Sequence, residues 1–282
     1  IFLMSISKIK SHAKINLSLN ITGKTKSLHN IESIVAFIDL FDLISIKRSR
    51  LKKHKVSFTG KFSKNIYKSN TVTKLLEILE KKKMIGNKKF QITIDKKIPN
   101  MSGLGGGSMN AATILTYFMK KRIIKIKQKE ANHIANLIGS DVTLGLNKIN
   151  SILTSKNKII RFKGIKHFYI VIIKTNINCS TKEIFKRVKN FEKPKLNKPN
   201  KKMFTLDYLK KMTNSLEPIV FSKYPKLKKI KLDLEKLSNP DFIRMTGSGS
   251  ALVAYFQSKE RCDHAKKRII QRYRKYWCKT AK

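Results

Sequence analysis

A glycine-rich stretch, PNMSGLGGGSMNAATIL (99–115), is the part of the sequence best suited to bind an anion. It holds four of the twelve glycines in the 282-residue chain. Alternating apolar residues in QITIDKKI predict a strand before it, and apolar residues at helical spacing from Ala111 to Met119 predict a helix after it. Glycines let backbone N–H groups approach a ligand, and a helix N-terminus adds unpaired donors and a positive dipole end. Strand, glycine loop and helix together predict a phosphate site, usually for a nucleotide.

The two commonest phosphate loops do not describe this stretch. A Walker A loop has Lys-Ser or Lys-Thr after its last glycine, whereas Ser108 and Met109 follow here. The dinucleotide pattern G-x-G-x-x-G fails at its last position, where Ser108 stands. A flexible turn with Ser108 as helix N-cap is the alternative. Three consecutive glycines favour the phosphate site, because a plain turn seldom needs them.

The net charge of +46 could indicate a protein that binds nucleic acid. However, only ten of the 63 basic residues are arginine, and the lysines are scattered along the chain. Arginine is the commoner reader of base edges. Abundant Ile, Asn and Lys are typical of an A+T-rich genome, so we interpret the charge as compositional and predict no specific nucleic-acid partner. A basic nucleic-acid-binding protein is the alternative from another functional class.

Cysteine usage and hydropathy bear on the compartment. Cys179, Cys262 and Cys278 are odd in number and lack metal-ligand spacing, which favours a reducing, cytoplasmic location. No apolar run approaches membrane length, and the initial IFLMSI is too short for a signal peptide, so we expect no membrane association. Met4 is a candidate start residue. No carboxylate pair marks a dedicated metal site, and the oligomeric state is left open between monomer and homodimer.

Two further stretches carry polar residues that could do chemistry. In AKINLSLNITG, apolar residues alternate with polar ones, which predicts a half-buried strand with Lys14 and Asn16 on the face opposite the apolar side chains. In ANHIANLIGSDV, a helical stripe ends at Gly139 and Asp141 follows directly. Taken alone, Asp141 could be a turn residue or an N-cap.

Other elements are predicted from periodicity. IVAFIDLFDLISIK (34–47) favours a pair of strands around Asp39 and Asp42, and SNTVTKLLEILEKK (69–82) favours an amphipathic helix. FYIVIIKT (168–175) is typical of a buried strand. NFEKPKLNKPNKK (190–202) has the Pro, Asn and Lys content of a mobile loop.

The glycine stretch resembles the phosphate loop of the GHMP kinases, which has the general form P-x-x-x-G-L-G-[GS]-S-[SA]-[AS]. Its extra glycines and its Asn-Ala-Ala ending are similar to one branch, the 4-diphosphocytidyl-2-C-methyl-D-erythritol kinases. AKINL, IGSDV, NSLE and the GSGS turn at 247–250 match the same branch in the same order, so the resemblance covers essentially the whole chain.

The resemblance implies an α+β, two-domain GHMP-kinase fold. Residues 1–155 would form an N-terminal domain of mixed sheet and helices with the phosphate loop. Residues 156–282 would form a C-terminal domain of ferredoxin-like character, and the active site would lie in the cleft between the two domains.

The implied reaction is ATP-dependent phosphorylation of the 2-hydroxyl of 4-diphosphocytidyl-2-C-methyl-D-erythritol, in the non-mevalonate isoprenoid precursor pathway. Asp141 would be the catalytic base and Lys14 its partner, with Mg²⁺ accompanying ATP and Ser108 as a candidate ligand of the ion. The expected triphosphate-binding residues are Pro99, Asn100, Met101, Ser102, Gly103, Leu104, Gly105, Gly106, Gly107, Ser108 and Met109.

The resemblance also implies contacts to a substrate that carries a cytidine diphosphate group. The expected residues are Asn16, Leu28, His29, Thr181 and Phe185. In the family an aromatic residue stacks on cytosine and the next residue, a histidine, hydrogen-bonds the edge of the base. Leu28 replaces that aromatic residue, and the segment before His29 is one residue short, so we expect a weaker grip on cytosine. A GHMP kinase acting on another small alcohol, such as homoserine or mevalonate, is the alternative within the superfamily.

Overall fold

The computed structural model describes residues 6–25 and 28–282, which contain two β-sheets and a set of helices. Met4 and part of the shortened turn before His29 lie outside the described residues. The strands are β1 (Ser7–Lys24), β2 (His29–Ser49), β3 (Lys55–Thr59), β4 (Lys89–Asp95), β5 (Ser151–Leu153), β6 (Ile159–Arg161), β7 (Tyr169–Lys174), β8 (Phe242–Met245), β9 (Leu252–Phe256) and β10 (Trp277–Ala281). The α-helices are α1 (Thr71–Lys81), α2 (Gly106–Lys120), α3 (Gln128–Ile138), α4 (Ser140–Gly145), α5 (Thr181–Lys186), α6 (Leu206–Lys210), α7 (Glu217–Lys223), α8 (Pro225–Ser238) and α9 (Lys259–Arg272). A 3-10 turn spans Lys201–Phe204.

The chain divides into two compact units whose segments alternate along the sequence. The first unit contains residues up to Ala13, 40–100 and 105–148, and the second contains 14–39, 101–104 and 149–282. Strands β1 and β2 therefore contribute residues to both units. The sequence predicts one boundary near residue 155 instead, and the assignment of domains to 1–155 and 156–282 stays a prediction.

The first unit packs helices on strands of a six-stranded sheet. Strand β4 pairs antiparallel with Leu43–Ser49 of β2 and parallel with β3. Helix α1 begins at Asn70, whose side chain accepts from the backbone N–H groups of Val72 and Thr73, while the Thr73 hydroxyl accepts from the Asn70 N–H. This capping box fixes the predicted helix start. The apolar faces of α1, α2 and α3 meet strands β2 and β4 in one core, which includes Leu75, Leu79, Ile92, Ile94, Ile114 and Phe118.

The second unit contains a four-stranded antiparallel sheet in the order β10-β7-β9-β8. Along the chain, strand β7 is followed by helices, then β8, β9, helix α9 and β10. This is the β-α-β-β-α-β arrangement of ferredoxin-like folds, so the predicted α+β class and the ferredoxin-like C-terminal part are confirmed. The helices bury their apolar stripes against this sheet through residues such as Val220, Leu227, Leu234, Cys262 and Ile269.

Two local predictions were wrong. Strand β1 is not half-buried, because every residue from Ala13 to Ile21 is buried. Its alternate polar side chains meet polar partners in the interior: the Asn16 amide donates to the Ser33 hydroxyl, and the Asn20 amide to the Glu32 carboxylate. Residues 34–47 form part of one long strand rather than a pair.

Asp42, an acidic residue within that long strand, has a structural role. Asp42 is fully buried. Its carboxylate accepts a hydrogen bond from the Lys96 ammonium. It accepts two more, each of 2.8 Å, from the backbone N–H groups of Lys97 and Ile98. It also accepts from the Asn110 amide of α2 at 3.0 Å. Burying a carboxylate is favourable only when its lone pairs are filled in this way. Asp42 thus fixes both chain segments that flank the glycine loop.

We expect Asp42→Asn to lower the free energy of unfolding by about 3–5 kcal/mol, because it leaves the buried Lys96 ammonium without its counter-charge. Urea unfolding followed by circular dichroism measures this change. Asp39→Asn is the matched control, since Asp39 lies on the same strand but is exposed, and we expect its effect to stay within about 0.5 kcal/mol. Equal effects for the two variants would contradict the role assigned to Asp42.

Candidate active site

The start of helix α2 presents backbone donors in the first unit, as the glycine stretch predicts. Gly105 is the N-cap with a φ of 71°, and the helix begins at Gly106, so Ser108 lies inside the first turn and is not the cap. The first N–H groups of a helix lack partners within it and attract anions. A Cβ added at Gly106 would lie 3.2 Å from the Lys96 Nζ, which places a positive charge beside this helix start. The Thr71 hydroxyl donates to the Gly107 carbonyl at 2.7 Å.

In the second unit, loop residues 101–104 pack against the turn that follows β8. A Cβ at Gly103, which has a φ of +77°, would lie 1.9 Å from the Thr246 carbonyl oxygen, so no other residue fits there. The Ala251 N–H donates to the Ser102 carbonyl at 3.2 Å, and the Thr246 hydroxyl to the Gly103 carbonyl at 3.3 Å. Residues 101–104 of the glycine loop therefore lie directly against the segment that contains the GSGS turn.

Lys14 and Asn16 lie in the same buried polar network of the second unit. The Lys14 ammonium donates to the Asn16 side-chain oxygen at 2.7 Å, and the Lys14 N–H donates to the Leu104 carbonyl at 3.1 Å. The Asn16 N–H donates to the Thr246 hydroxyl at 3.0 Å. Lys14 is 3% exposed, so its charge is held by this network rather than by solvent.

Asp141 belongs to the first unit, in the first turn of α4. Gly139 ends α3 and begins α4, and the buried Val142 fixes the position of the turn. The carboxylate is thus partly buried in the first turn of a short helix. Lys14 belongs to the other unit, and the pairing of Lys14 with Asp141 stays a prediction.

The NSLE residues hold the GSGS turn. The side-chain oxygen of Asn214 accepts from the Leu216 N–H at 3.0 Å. Its amide also donates to the Met245 and Gly247 carbonyls, each at 2.8 Å. The Glu217 carboxylate accepts from the Met245 N–H at 2.6 Å. These contacts fix Met245 and Gly247, the residues on either side of Thr246, whose carbonyl meets Gly103.

A buried lysine supports the other side of the same turn. Lys174 donates to the Thr175 and Ile177 carbonyls, each at 2.7 Å, and to the Asn178 side chain at 3.2 Å. Burial lowers the pKa of Lys174 to about 8. The Ser250 hydroxyl donates to the same Ile177 carbonyl, so this lysine organises the segment that leads to α5.

The expected substrate-binding residues of α5 and β2 come together in part. The Thr181 and Ser248 hydroxyls share a hydrogen bond of 2.8 Å, which ties the start of α5 to the GSGS turn. The ring centroids of His29 and Phe185 are 5.3 Å apart, within the range of an aromatic pair. Leu28 is 70% exposed, and its backbone pairs with Thr25.

The imidazole of His29 has an unfilled hydrogen-bonding position. Its Nε2 atom is buried and finds no partner among the described residues. Burial, together with the nearby charge of Lys24, lowers the pKa of His29, so the ring is neutral at pH 7. A neutral imidazole can donate or accept one bond at this atom, depending on its tautomer. Buried polar atoms are normally paired, so this one points to a ligand.

The donors and acceptors described above indicate whether this site suits a nucleotide and Mg²⁺. The glycine-rich helix start suits a polyphosphate through its unpaired N–H groups, whereas the charge of the neighbouring Lys96 is already balanced by Asp42. Asp42 is not available to a metal ion, because four donors already fill its oxygens. Within residues 6–25 and 28–282, no three His, Cys, Asp or Glu side chains gather as metal ligands.

In the same ranges, no helix is long and apolar enough to cross a membrane.

Several residues of the site were missed by sequence reasoning. Asp42, Lys96 and Thr246 act through hydrogen bonds to residues far away in the chain, which periodicity does not reveal. A usable signal existed for Asp42, since an acidic residue inside an apolar strand is rare in a chain with only 17 Asp and Glu residues.

Comparisons with known proteins show the family to which the chain belongs. The sequence profile of the GHMP kinases N terminal domain matches residues 70–150, which include the glycine loop and Asp141. The 4-diphosphocytidyl-2-C-methyl-D-erythritol kinase of Pelagibacter ubique is 50% identical over 279 residues, which cover 99% of each chain. The enzyme of the same name from Clostridioides difficile is 30% identical, over 97% of this chain and 95% of that one.

Solved structures share the fold. A crystal structure of 4-(cytidine 5'-diphospho)-2C-methyl-D-erythritol kinase has a TM-score of 0.76 at 20% identity and covers 98% of this chain and 99% of its own. Homoserine kinase from Cytophaga hutchinsonii has a TM-score of 0.69 at 15% identity, with 99% and 95% covered. The chain therefore belongs to the GHMP kinases and, within them, to the 4-diphosphocytidyl-2-C-methyl-D-erythritol kinases.

Proposed function

We propose that this protein transfers the terminal phosphoryl group of ATP to the 2-hydroxyl of 4-diphosphocytidyl-2-C-methyl-D-erythritol. The observation that carries the choice of substrate is the buried, unpartnered Nε2 of His29 beside the Phe185 ring. A cytosine offers both a flat face for the ring and donors and acceptors on its edge for the imidazole. Mevalonate and homoserine offer no such aromatic base.

In the proposed mechanism, loop residues 99–109 bind the triphosphate, with donors from the start of α2. Mg²⁺ neutralises phosphate charge when it is bound with ATP, and Ser108 is its candidate ligand. Asp141 accepts the proton of the attacking hydroxyl. Lys14, held by Asn16, orients Asp141 and balances charge at the transferring group. Phosphoryl transfer depends mainly on such positioning and charge neutralisation.

Two further expectations accompany this proposal, one about the binding partner and one about the location of the protein. The partner is a small molecule with a cytidine diphosphate group, and no specific nucleic acid is needed. A cytoplasmic location stays a prediction from cysteine usage; all three cysteines are free thiols.

The experiment that tests the function is ATP turnover by the purified protein with a panel of alcohols. The panel contains 4-diphosphocytidyl-2-C-methyl-D-erythritol, mevalonate and homoserine, each with and without added RNA. We expect ADP release and a phosphorylated product with the cytidine compound only, at a rate that RNA leaves unchanged. Turnover with mevalonate or homoserine instead would overturn the choice of substrate. Tight, sequence-selective RNA binding without turnover would favour the nucleic-acid alternative.

For the mechanism, we expect Asp141→Asn and Lys14→Ala each to lower kcat by about 10²–10⁴, the usual range for a positioned base. The affinity for ATP should persist, because the loop donors are unchanged. The double variant should be little worse than the more damaging single variant, since both residues act on one step.

The matched control for this mechanism is Asp207→Asn, since Asp207 also lies in the first turn of a short helix and is exposed. Stopped-flow and steady-state kinetics give kcat, and calorimetry gives ATP affinity. A kcat near the wild-type value in Asp141→Asn would rule out Asp141 as the base.

A further inference from the structure

The loop predicted to be mobile, residues 190–202, is anchored directly after an exposed phenylalanine. The N–H of Glu192 donates to the Ile21 carbonyl at 2.8 Å, and its carboxylate accepts from the Ser215 hydroxyl. Phe191, immediately before it, is 47% exposed. The backbone beside this ring is therefore fixed to strand β1, although the ring itself is largely open to solvent.

A second anchor holds the following residues. The buried carboxylate of Glu32 accepts from the N–H groups of Lys195 and Leu196, at 2.8 and 3.0 Å, and from the Asn20 amide at 3.0 Å. Leu196 is fully buried, so this part of the loop packs as core. A buried carboxylate dedicated to a surface loop is costly unless all of its bonds are made. The position of the loop is thus closely specified.

The anchored loop brings the Phe191 ring close to the imidazole of His29. The centroids of the two rings are 6.5 Å apart, with an interplanar angle of 51°. Phe185 lies 5.3 Å from the same imidazole. His29 therefore has two phenyl rings as neighbours and one buried nitrogen without a partner. Two aromatic rings around a single hydrogen-bonding atom suit a flat, polar-edged ligand such as a nucleobase.

We propose that Phe191 forms a second aromatic wall of the cytosine subsite and determines how tightly the protein binds the cytidine end of its substrate. This inference rests on the proposed function. Leu28 has no ring to offer and is 70% exposed, so Phe191 supplies the aromatic surface that this position lacks. The anchors through Glu192 and Glu32 reduce the conformational freedom that binding would otherwise have to restrict. With Phe191 in this role, the leucine at position 28 does not weaken the binding of cytosine.

The test uses CDP as the probe, because it carries the cytosine without the reacting alcohol. Calorimetry gives its Kd for the wild-type protein, Phe191→Ala, Phe191→Leu and Phe191→Tyr. We expect the Ala and Leu variants to raise the Kd at least about fivefold, the lower end for loss of one base–aromatic stack. The Tyr variant should keep the wild-type Kd. Leu232→Ala is the control, since Leu232 is an apolar residue of the same unit with a similar exposure of 49%.

Steady-state kinetics separates a stacking role from a structural one. In Phe191→Leu, the KM for the cytidine substrate should rise by the same factor as the Kd, whereas kcat and the KM for ATP should not change. If the wild-type protein binds CDP and all Phe191 variants bind it equally well, the inference is wrong and the proposed function stands. If the wild-type protein binds neither CDP nor the cytidine substrate, the proposed function itself fails. A loss in Phe191→Tyr equal to that in Phe191→Ala would also overturn the role of the ring.

Discussion

The structure of the second unit depends on the absence of a side chain at Gly103. Its Cα lies so close to the Thr246 carbonyl that a Cβ would be 1.9 Å from that oxygen. This contact lets the glycine loop share hydrogen bonds with strand β1, through Lys14, and with the segment after the GSGS turn, through Ala251. Three sequence motifs that are far apart in the chain therefore form one buried network. Asn214 and Glu217 fix the turn from its other side, so the loop has little freedom to move away.

Buried carboxylates have a second organising role, in a chain with few of them. Asp42 accepts the successive N–H groups of Lys97 and Ile98, just before the glycine loop. Glu32 accepts those of Lys195 and Leu196, just after Phe191. In both cases one carboxylate fixes an irregular segment by its backbone. The excess of positive charge is compatible with so few carboxylates, because lysines at solvated surface positions need no charged partner.

Local motifs in the sequence predicted the parts of the site that depend on neighbouring residues. The strand, glycine loop and helix around Gly105 and the helix stop at Gly139 could be inferred in this way, whereas the ferredoxin-like character of the C-terminal part was implied by the resemblance to the GHMP kinases. Contacts between distant residues could not be inferred. Asp42 and Lys96 are 54 residues apart, and one long strand was predicted as a pair of strands around Asp39 and Asp42, because the partners of Asp42 are not visible in the sequence. Likewise, the Pro- and Lys-rich composition around Phe191 favoured a mobile loop, since nothing local reveals the Glu32 anchor.

The measurement that tests this account most directly is ATP affinity in Gly103→Ala, compared with Gly164→Ala. Both glycines have a positive φ, +77° and +68°, so alanine strains the backbone at each; only Gly103 is crowded, because a Cβ at Gly164 would meet nothing within 4 Å. Calorimetry on the two folded variants should show an ATP affinity at least about tenfold weaker for Gly103→Ala, since a displaced loop forfeits several phosphate bonds worth about 1 kcal/mol or more each. The affinity of Gly164→Ala should match the wild-type protein. A folded Gly103→Ala variant that binds ATP as tightly as the wild type would contradict the claim that this loop, held by the turn, is the triphosphate site.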